Sequence, residues 1–274
     1  MSDLSSLRLL LVGCGKMGGA MLRGWLARGL LARNTVVVEP APSAMGDLAG
    51  KGIVHVGAPD KIARDFVADV LVLAVKPQFM DGAIDHYAGF IRPQTLVLSI
   101  AAGKTIAYFR QHLGARAAIV RAMPNTPAAI GRGISVAVAD SHVSTAQRQL
   151  ADTLLSACGE VAWVKDEDMI NPVTALSGGG PAYVFLLMEA LAEAGRKAGL
   201  PGDLAMRLAR VTVSGAGELA RLSDETAAEL RQAVTSPKGT TLEALKILMA
   251  NDGIQPLFDR AIAAATRRSR ELAS

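Results

Sequence analysis

Leu9-Leu10-Leu11-Val12-Gly13-Cys14-Gly15-Lys16-Met17-Gly18 is the stretch on which the fold turns. Its four aliphatic residues read as a strand buried on both faces, and the G-x-G-x-x-G that follows opens a helix. Each glycine has its own task in a dinucleotide site. Gly13 makes the tight turn, Gly15 lets the backbone approach a pyrophosphate, and Gly18 permits close helix-to-strand packing. The helix start adds free N–H groups and the positive end of the dipole. Gly13, Gly15, Lys16, Met17 and Gly18 are therefore expected to bind the cofactor. Glu39 ends the next strand, about twenty residues on, where a carboxylate accepts from a ribose 2′-OH and repels a 2′-phosphate. The expected cofactor is NADH or NADPH, with Glu39 leaning toward NADH and with Arg33 or Lys51 as cations able to restore NADPH. The alternative for Glu39 is a side chain that merely opens the turn at Pro40.

Outward from that turn, aliphatic runs at 8–13, 35–39, 70–75, 95–100 and 118–123 alternate with helix-length segments at 17–28, 77–89 and 105–112. Such alternation predicts β-α-β units and a parallel sheet covered on both faces. Runs at 134–139 and 161–164 read as later edge strands flanking a helix over 144–157. Beyond about residue 165 the strand pattern stops. Segments rich in Ala, Leu, Glu and Arg then predict helices at 181–198, 204–222, 225–234, 241–249 and 254–271, divided by Gly, Pro and Ser. The expected fold is α/β, a Rossmann-type doubly wound parallel sheet in residues 1–165, followed by an all-α domain in 166–274. Leu186, Leu187, Ala190, Leu191 and Ala194 make one later helix apolar on more than one face, and helices of that kind pack against a second subunit.

A chain of 274 residues, 50% apolar and 20% charged, can bury its own core. The net charge of +4 is scattered, and Arg267, Arg268 and Arg270 form only a short cluster, so no nucleic-acid partner is expected. Two cysteines, Cys14 and Cys158, give no disulfide framework and suit a reducing compartment, with the cytoplasm as the expected location. The opening residues lack a signal-peptide pattern, and no run approaches the roughly 20 apolar residues of a membrane span, so no membrane is expected as a partner. His55, His86, His112 and His142 lack ligand spacing, and no metal is expected.

Two further loops fall at the carboxyl ends of strands, where open parallel sheets bind ligands. One reads Ala74-Val75-Lys76-Pro77-Gln78. The other reads Arg121-Ala122-Met123-Pro124-Asn125-Thr126-Pro127, stiffened by prolines on both sides of Asn125. It is suited either to presenting amides to a nicotinamide or to a rigid crossover turn. Gly103-Lys104-Thr105 is no P-loop, since the first glycine of that motif would fall at Leu98. In the helical part, Ser177-Gly178-Gly179-Gly180-Pro181 is either a glycine loop that lets a ligand near the backbone or an interdomain hinge. Thr235-Ser236-Pro237-Lys238-Gly239-Thr240-Thr241-Leu242-Glu243 feeds a helix, with Thr240 and Glu243 spaced as a capping box. It is either an ordinary cap or a carboxylate site.

Taken in one order over nearly the whole chain, the glycine turn, AVKPQ, RAMPNTP, SGGGPAY and VTSPKGTT resemble the pyrroline-5-carboxylate reductase family. That resemblance implies NAD(P)H-dependent hydride transfer to the cyclic imine 1-pyrroline-5-carboxylate, giving L-proline in the last step of proline biosynthesis. It also implies a Rossmann domain, a helical dimerisation domain, and an active site completed between the subunits of a homodimer or higher oligomer. The positions carried over are Ser236, Gly239, Thr240 and Thr241 for substrate, with Thr241 meeting the ring nitrogen as the catalytic contact, beside Ser177 and Gly180. On the cofactor side they are Ala74, Val75, Lys76, Pro77, Ala101 and Asn125. Lys238 stands where the family commonly has Gly, and Gly179 where it commonly has Ser. A positive φ at 238 would strain Lys by roughly 1 kcal/mol.

Two rival readings are distinguishable. The β-hydroxyacid dehydrogenases join similar domains but need an acid/base, typically a Lys on the helix after a glycine turn. None occurs from Ser177 through Gly195, and Lys197 lies too far along. A non-catalytic NAD(P)-binding sensor would keep the glycine turn yet have no use for the Ser236–Thr241 loop.

Overall fold

Strand β1 (Leu9–Val12) runs into helix α1 (Lys16–Ala27), and the first half of the chain continues through β2 (Thr35–Val38), β3 (Val54–Val56), β4 (Val70–Leu73), α2 (Pro77–Met80), β5 (Leu96–Ser99) and α3 (Ile106–Leu113). It goes on with β6 (Ala118–Met123), β7 (Gly133–Ala139), α4 (Thr145–Ser156) and β8 (Gly159–Trp163). The computed structural model describes residues 3–273; Met1, Ser2 and Ser274, at the outer ends of the two sequence-defined domains, lie outside it. The described strands form an eight-stranded sheet in the order β3-β2-β1-β4-β5-β6-β7-β8. This is the doubly wound arrangement, reversing direction between β1 and β4, where such sheets open a ligand crevice at their carboxyl ends.

Both faces of the sheet are buried, which is why its strands read as unbroken aliphatic runs. Leu9 and Leu11 enter one core with Trp25 and Leu154, while Leu10 and Val12 enter the other with Tyr87 and Phe109. Trp25 Nε1 donates to the Leu154 carbonyl at 2.8 Å, so the indole is buried without losing a partner.

Four sequence expectations change. The sheet is not wholly parallel, because β6 and β7 pair antiparallel. Segment 134–139 is not an edge strand: β7 lies between β6 and β8, and its Val136, Ala137 and Val138 are buried. Strand β3 is an addition; at three residues it is too short for any periodicity to register. The helix expected over 77–89 breaks after Met80 and resumes as a 3-10 turn, Ile84–Phe90, with Gly82 in the gap.

Beyond β8, α5 (Ile170–Val173) and a π-helical turn (Thr174–Gly178) lead to α6 (Gly180–Lys197), α7 (Gly202–Leu222), α8 (Ala227–Ala233), α9 (Thr240–Leu248) and α10 (Ile254–Ala273). Residues Gly179–Ala264 make one compact unit, and the rest, including α10 from Ala265 onward, makes the other. The division thus falls later than the 165/166 boundary drawn from the end of the strand pattern. Ile170 is buried in the second sheet core and Glu167 pairs with Arg121 of β6, so the start of the helical stretch belongs to the sheet.

In the helical unit, α6 and α7 pack closely through small residues: Ala192, Ala205 and Ala209 are buried, and a Cβ added at Gly195 would meet Ala205 Cβ at 3.4 Å. Phe185, Leu186, Val211 and Leu222 remain exposed. Within the helical run Glu167–Lys197 one 18-residue window reaches a mean hydropathy of 1.3, so by length and composition alone this segment passes as long and apolar enough to cross a membrane.

Candidate active site

Crowding at the glycine turn follows the tasks read from the sequence. Gly13 has φ +90°, and a Cβ there would lie 2.9 Å from the Ala74 carbonyl group. A Cβ at Gly18 would strike the Gly13 carbonyl oxygen. By contrast, a Cβ at Gly15 would meet nothing within 4 Å, so space remains where a diphosphate must approach. Gly15 is also the N-cap of α1, with no side-chain cap and no acidic residue in the first turn. The first-turn N–H groups and dipole are left for an external anion. On both counts the residues fit a dinucleotide.

Two cavities flank this turn. One, of about 660 Å³, is lined by Gly13, Gly15, Glu39, Ala74, Val75 and Lys76, with Gly57 and Pro59 from the end of β3. The other, of about 620 Å³, is lined by Gly15, Lys16 and Met17, with Arg23 and Thr126. Pro77, Gly18, Ala101 and Asn125 line neither. Pro77 opens α2, and Ala101 is buried with its N–H donating to Ser99 Oγ at 3.2 Å. The Asn125 side chain is occupied at both ends, its Oδ1 accepting from Ile134 N–H at 3.0 Å and its Nδ2 donating to Ser177 Oγ at 3.3 Å. Each end of the amide group thus has one internal partner, with one N–H and one lone pair beyond those two bonds.

Glu39 serves the turn as well as the groove. Its Oε2 accepts from Cys14 N–H at 2.9 Å and its Oε1 from Ala41 N–H at 3.0 Å. The turn-opening role and the cavity-lining role therefore coexist. Burial and the neighbouring Glu39 carboxylate push the Cys14 thiol above its ordinary range. Lys51 and Arg23 both pair with Asp47, whose carboxyl is held down to about 2, chiefly by the Arg23 hydrogen bond.

The glycine segment at 177–180 is not a loop. It forms the π-helical turn and the start of α6, with Pro181 in the first turn. Gly178 packs against Met123 Cε, and a Cβ at Gly180 would meet nothing within 4 Å. Helix α9 starts on Gly239, not on Thr240, and carries no side-chain cap. The expected capping box is absent: Thr240 is already helical, and Glu243 pairs instead with Lys246 at 2.7 Å. Lys238 has φ +60°, alone among the described non-glycine residues, and a Cβ at Gly239 would strike Ser236 Oγ. Ser236, Thr240 and Thr241 are exposed. Helices α3, α4 and α8 carry side-chain caps from Thr105, Ser144 and Thr226, so α1 and α9 differ from these three in leaving their first-turn amides open.

Sequence reading missed Gly57, Pro59 and Thr126 as groove residues. The breaker triplet Gly57-Ala58-Pro59 after a short aliphatic run was the available signal for the first two.

The family profile described as pyrroline-5-carboxylate reductase dimerisation matches residues 167–272, and that described as NADP oxidoreductase, coenzyme F420-dependent, matches residues 8–103. A pyrroline-5-carboxylate reductase of Pseudomonas aeruginosa is 42% identical over 270 residues, 98% of each chain. One from Synechocystis is 38% identical over 97% of this chain and 98% of its own. The structure of a pyrroline-5-carboxylate reductase from Coxiella burnetii superposes with a TM-score of 0.89 at 35% identity, covering 98% of this chain and 99% of that one. A Plasmodium falciparum pyrroline carboxylate reductase with NADP bound gives 0.83 at 27% identity, over 99% and 100%. With the open glycine turn and the uncapped start of α9, these likenesses place the chain in the pyrroline-5-carboxylate reductase family of NAD(P)-dependent oxidoreductases.

Proposed function

We propose that this chain reduces the C=N bond of 1-pyrroline-5-carboxylate to give L-proline, and that two of its glycine-opened helix starts, those of α1 and α9, divide the binding. The observation carrying this reading is that α1 and α9 both begin on glycine without a side-chain cap. Each presents first-turn amides to an anion, a diphosphate at α1 and the substrate carboxylate at α9. NAD(P)H, when bound, supplies the hydride. Gly13, Gly15, Lys16 and Met17 hold the diphosphate, and Ala74, Val75 and Lys76 line its path along the sheet edge.

At α9, the Ser236 and Thr240 hydroxyls and the Gly239 amide take the carboxylate, and the Thr241 hydroxyl hydrogen-bonds the ring nitrogen. A protonated iminium accepts hydride without a strong enzymic acid, so Thr241 orients the ring and positioning supplies much of the rate. The Glu39 carboxylate in the groove favours NADH, since it repels a 2′-phosphate. The exposed apolar residues of α6 and α7 fit a homodimer or higher homo-oligomer, and two buried free cysteines fit the cytoplasm. Neither nucleic acid nor membrane enters the reading.

Purified protein mixed with 1-pyrroline-5-carboxylate should oxidise NADH, and NADPH less efficiently, with proline as product. Cofactor binding without turnover would leave the sensor reading in its place.

A further inference from the structure

Strand β6 carries a charge where its neighbours are apolar. Arg121 is 2% exposed, flanked on its own face of the strand by Ile119 and Met123, which belong to the second sheet core. Burying a guanidinium there is costly unless it is paired, and an aliphatic residue would pack at no such cost. Arg121 Nη1 pairs with Glu167 Oε1 at 2.7 Å, and that same oxygen accepts from Ile106 N–H, the first residue of α3, at 2.8 Å. One carboxylate oxygen thus ties β6 to the start of α3. The second terminal nitrogen of Arg121 is buried without a partner.

The loop between Ser99 and Ile106 is gripped at three places. At its start, Ser99 lies directly opposite Arg121 in the β5–β6 register and accepts from Ala101 N–H. In its middle, Gly103 has φ +71°, and a Cβ there would lie 2.9 Å from the Leu272 carbonyl oxygen at the end of α10. At its end stands the Glu167 hydrogen bond to Ile106. The segment carrying Glu167 is itself fastened: Asn171 Nδ2 donates to the Asp168 carbonyl at 3.2 Å, and Ser269 Oγ of α10 donates to Asn171 Oδ1 at 2.9 Å. The loop that follows Arg121 along the chain leaves β6 through Pro124 and Asn125 and delivers Thr126 to the cavity beside the glycine turn.

We infer that Arg121 and Glu167 form a clasp that fixes the two loops leaving β5 and β6, and that Arg121 is a positioning residue for the cofactor. This rests on the reading of those loops as the cofactor side. A plain core residue would affect stability alone, whereas a clasp sets where the loop backbones stand when a dinucleotide arrives.

The test compares wild type with Arg121→Met, Arg121→Lys and Glu167→Gln, measuring the NADH dissociation constant by fluorescence titration, steady-state kinetics, and amide hydrogen exchange over residues 101–106 of the ligand-free chain. Arg121→Met should weaken NADH binding about tenfold, raise KM for NADH in step with smaller change in kcat, and speed exchange at 101–106. Arg121→Lys should recover part of that loss, because a single ammonium still reaches Glu167. If Arg121→Met does not fold, Glu167→Gln decides: Gln still accepts from Ile106 N–H, so the chain keeps its helix start but loses the ion pair, and a severalfold weaker NADH affinity is expected. An NADH dissociation constant within twofold of wild type in whichever variant folds overturns the inference. Failure of wild type to reduce pyrroline-5-carboxylate would count against the substrate assignment instead, and leaves the binding comparison readable.

Discussion

Helices α1 and α9 both start on a glycine without a side-chain cap, but their surroundings are opposites. Gly18, Ala20, Met21, Leu22 and Trp25 of α1 are buried, whereas no residue of α9 is buried. The α1 turn is fixed by contacts with Ala74 and Glu39 inside one unit. The α9 turn is held by local geometry, the Gly239 N–H donating to the Ser236 carbonyl at 3.0 Å beside a left-handed Lys238. One helix start is packed against the sheet, and the other is an exposed turn held by its own neighbouring residues. That contrast accords with a family whose helical part is a dimerisation region.

The sharpest way to break the comparison is Gly15→Val. With nothing within 4 Å of the added Cβ, the fold should survive, yet the side chain enters the diphosphate path. NADH affinity should fall at least about 100-fold, or roughly 2.7 kcal/mol, with little change in Tm. Retained affinity would mean that the diphosphate does not lie on α1. At the other helix start, Thr241→Ala should lower kcat/KM for pyrroline-5-carboxylate by about tenfold to 100-fold, the loss of one hydrogen bond to a charged group. The NADH dissociation constant should stay put, and unchanged turnover would remove Thr241 from the site.

Glu39→Ala tests whether the turn and the ribose share one carboxylate. The preference for NADH over NADPH should shift toward NADPH about tenfold, while loss of the bonds to Cys14 and Ala41 N–H costs about 1 kcal/mol of stability each. A lower Tm with an unaltered cofactor ratio would confine Glu39 to the turn. Lys238→Gly should raise stability by up to about 1 kcal/mol by relieving the positive φ, readable in urea unfolding; no gain would show the loop to be unstrained.

A last effect concerns pH. Burial pushes the Cys158 thiol up to about 11 from an ordinary 9.0, and the Cys14 thiol is raised as well. Because the folded state holds these protons more tightly, their contribution to stability is complete below pH 9.0 and is lost as pH rises toward 11. Alkaline unfolding should therefore be less steep in Cys158→Ala, and an identical pH profile would contradict the burial argument.

Chemistry packed into consecutive residues is legible in the chain itself. The strand and glycine turn at Leu9 to Gly18, the placement of Glu39 and the switch from strands to helices can all be read in order. Legibility fails at single-residue shifts and at short elements. Taking Thr240 rather than Gly239 as the N-cap turns an open helix start into a capping box, and three residues of β3 are too few to betray a strand, hiding Gly57 and Pro59 with it.

Sequence alone determined seven of the eight strands, where the glycine turn lies and which loops carry donors, because helix and strand periods and glycine turns are properties of neighbouring residues. Tertiary structure decided the antiparallel place of β7, the double duty of Glu39, the two internal partners of the Asn125 amide and the pairing of Arg121 with Glu167. Those depend on which polar groups meet across long separations in the chain, where burial obliges each to find a partner and no local pattern says which one.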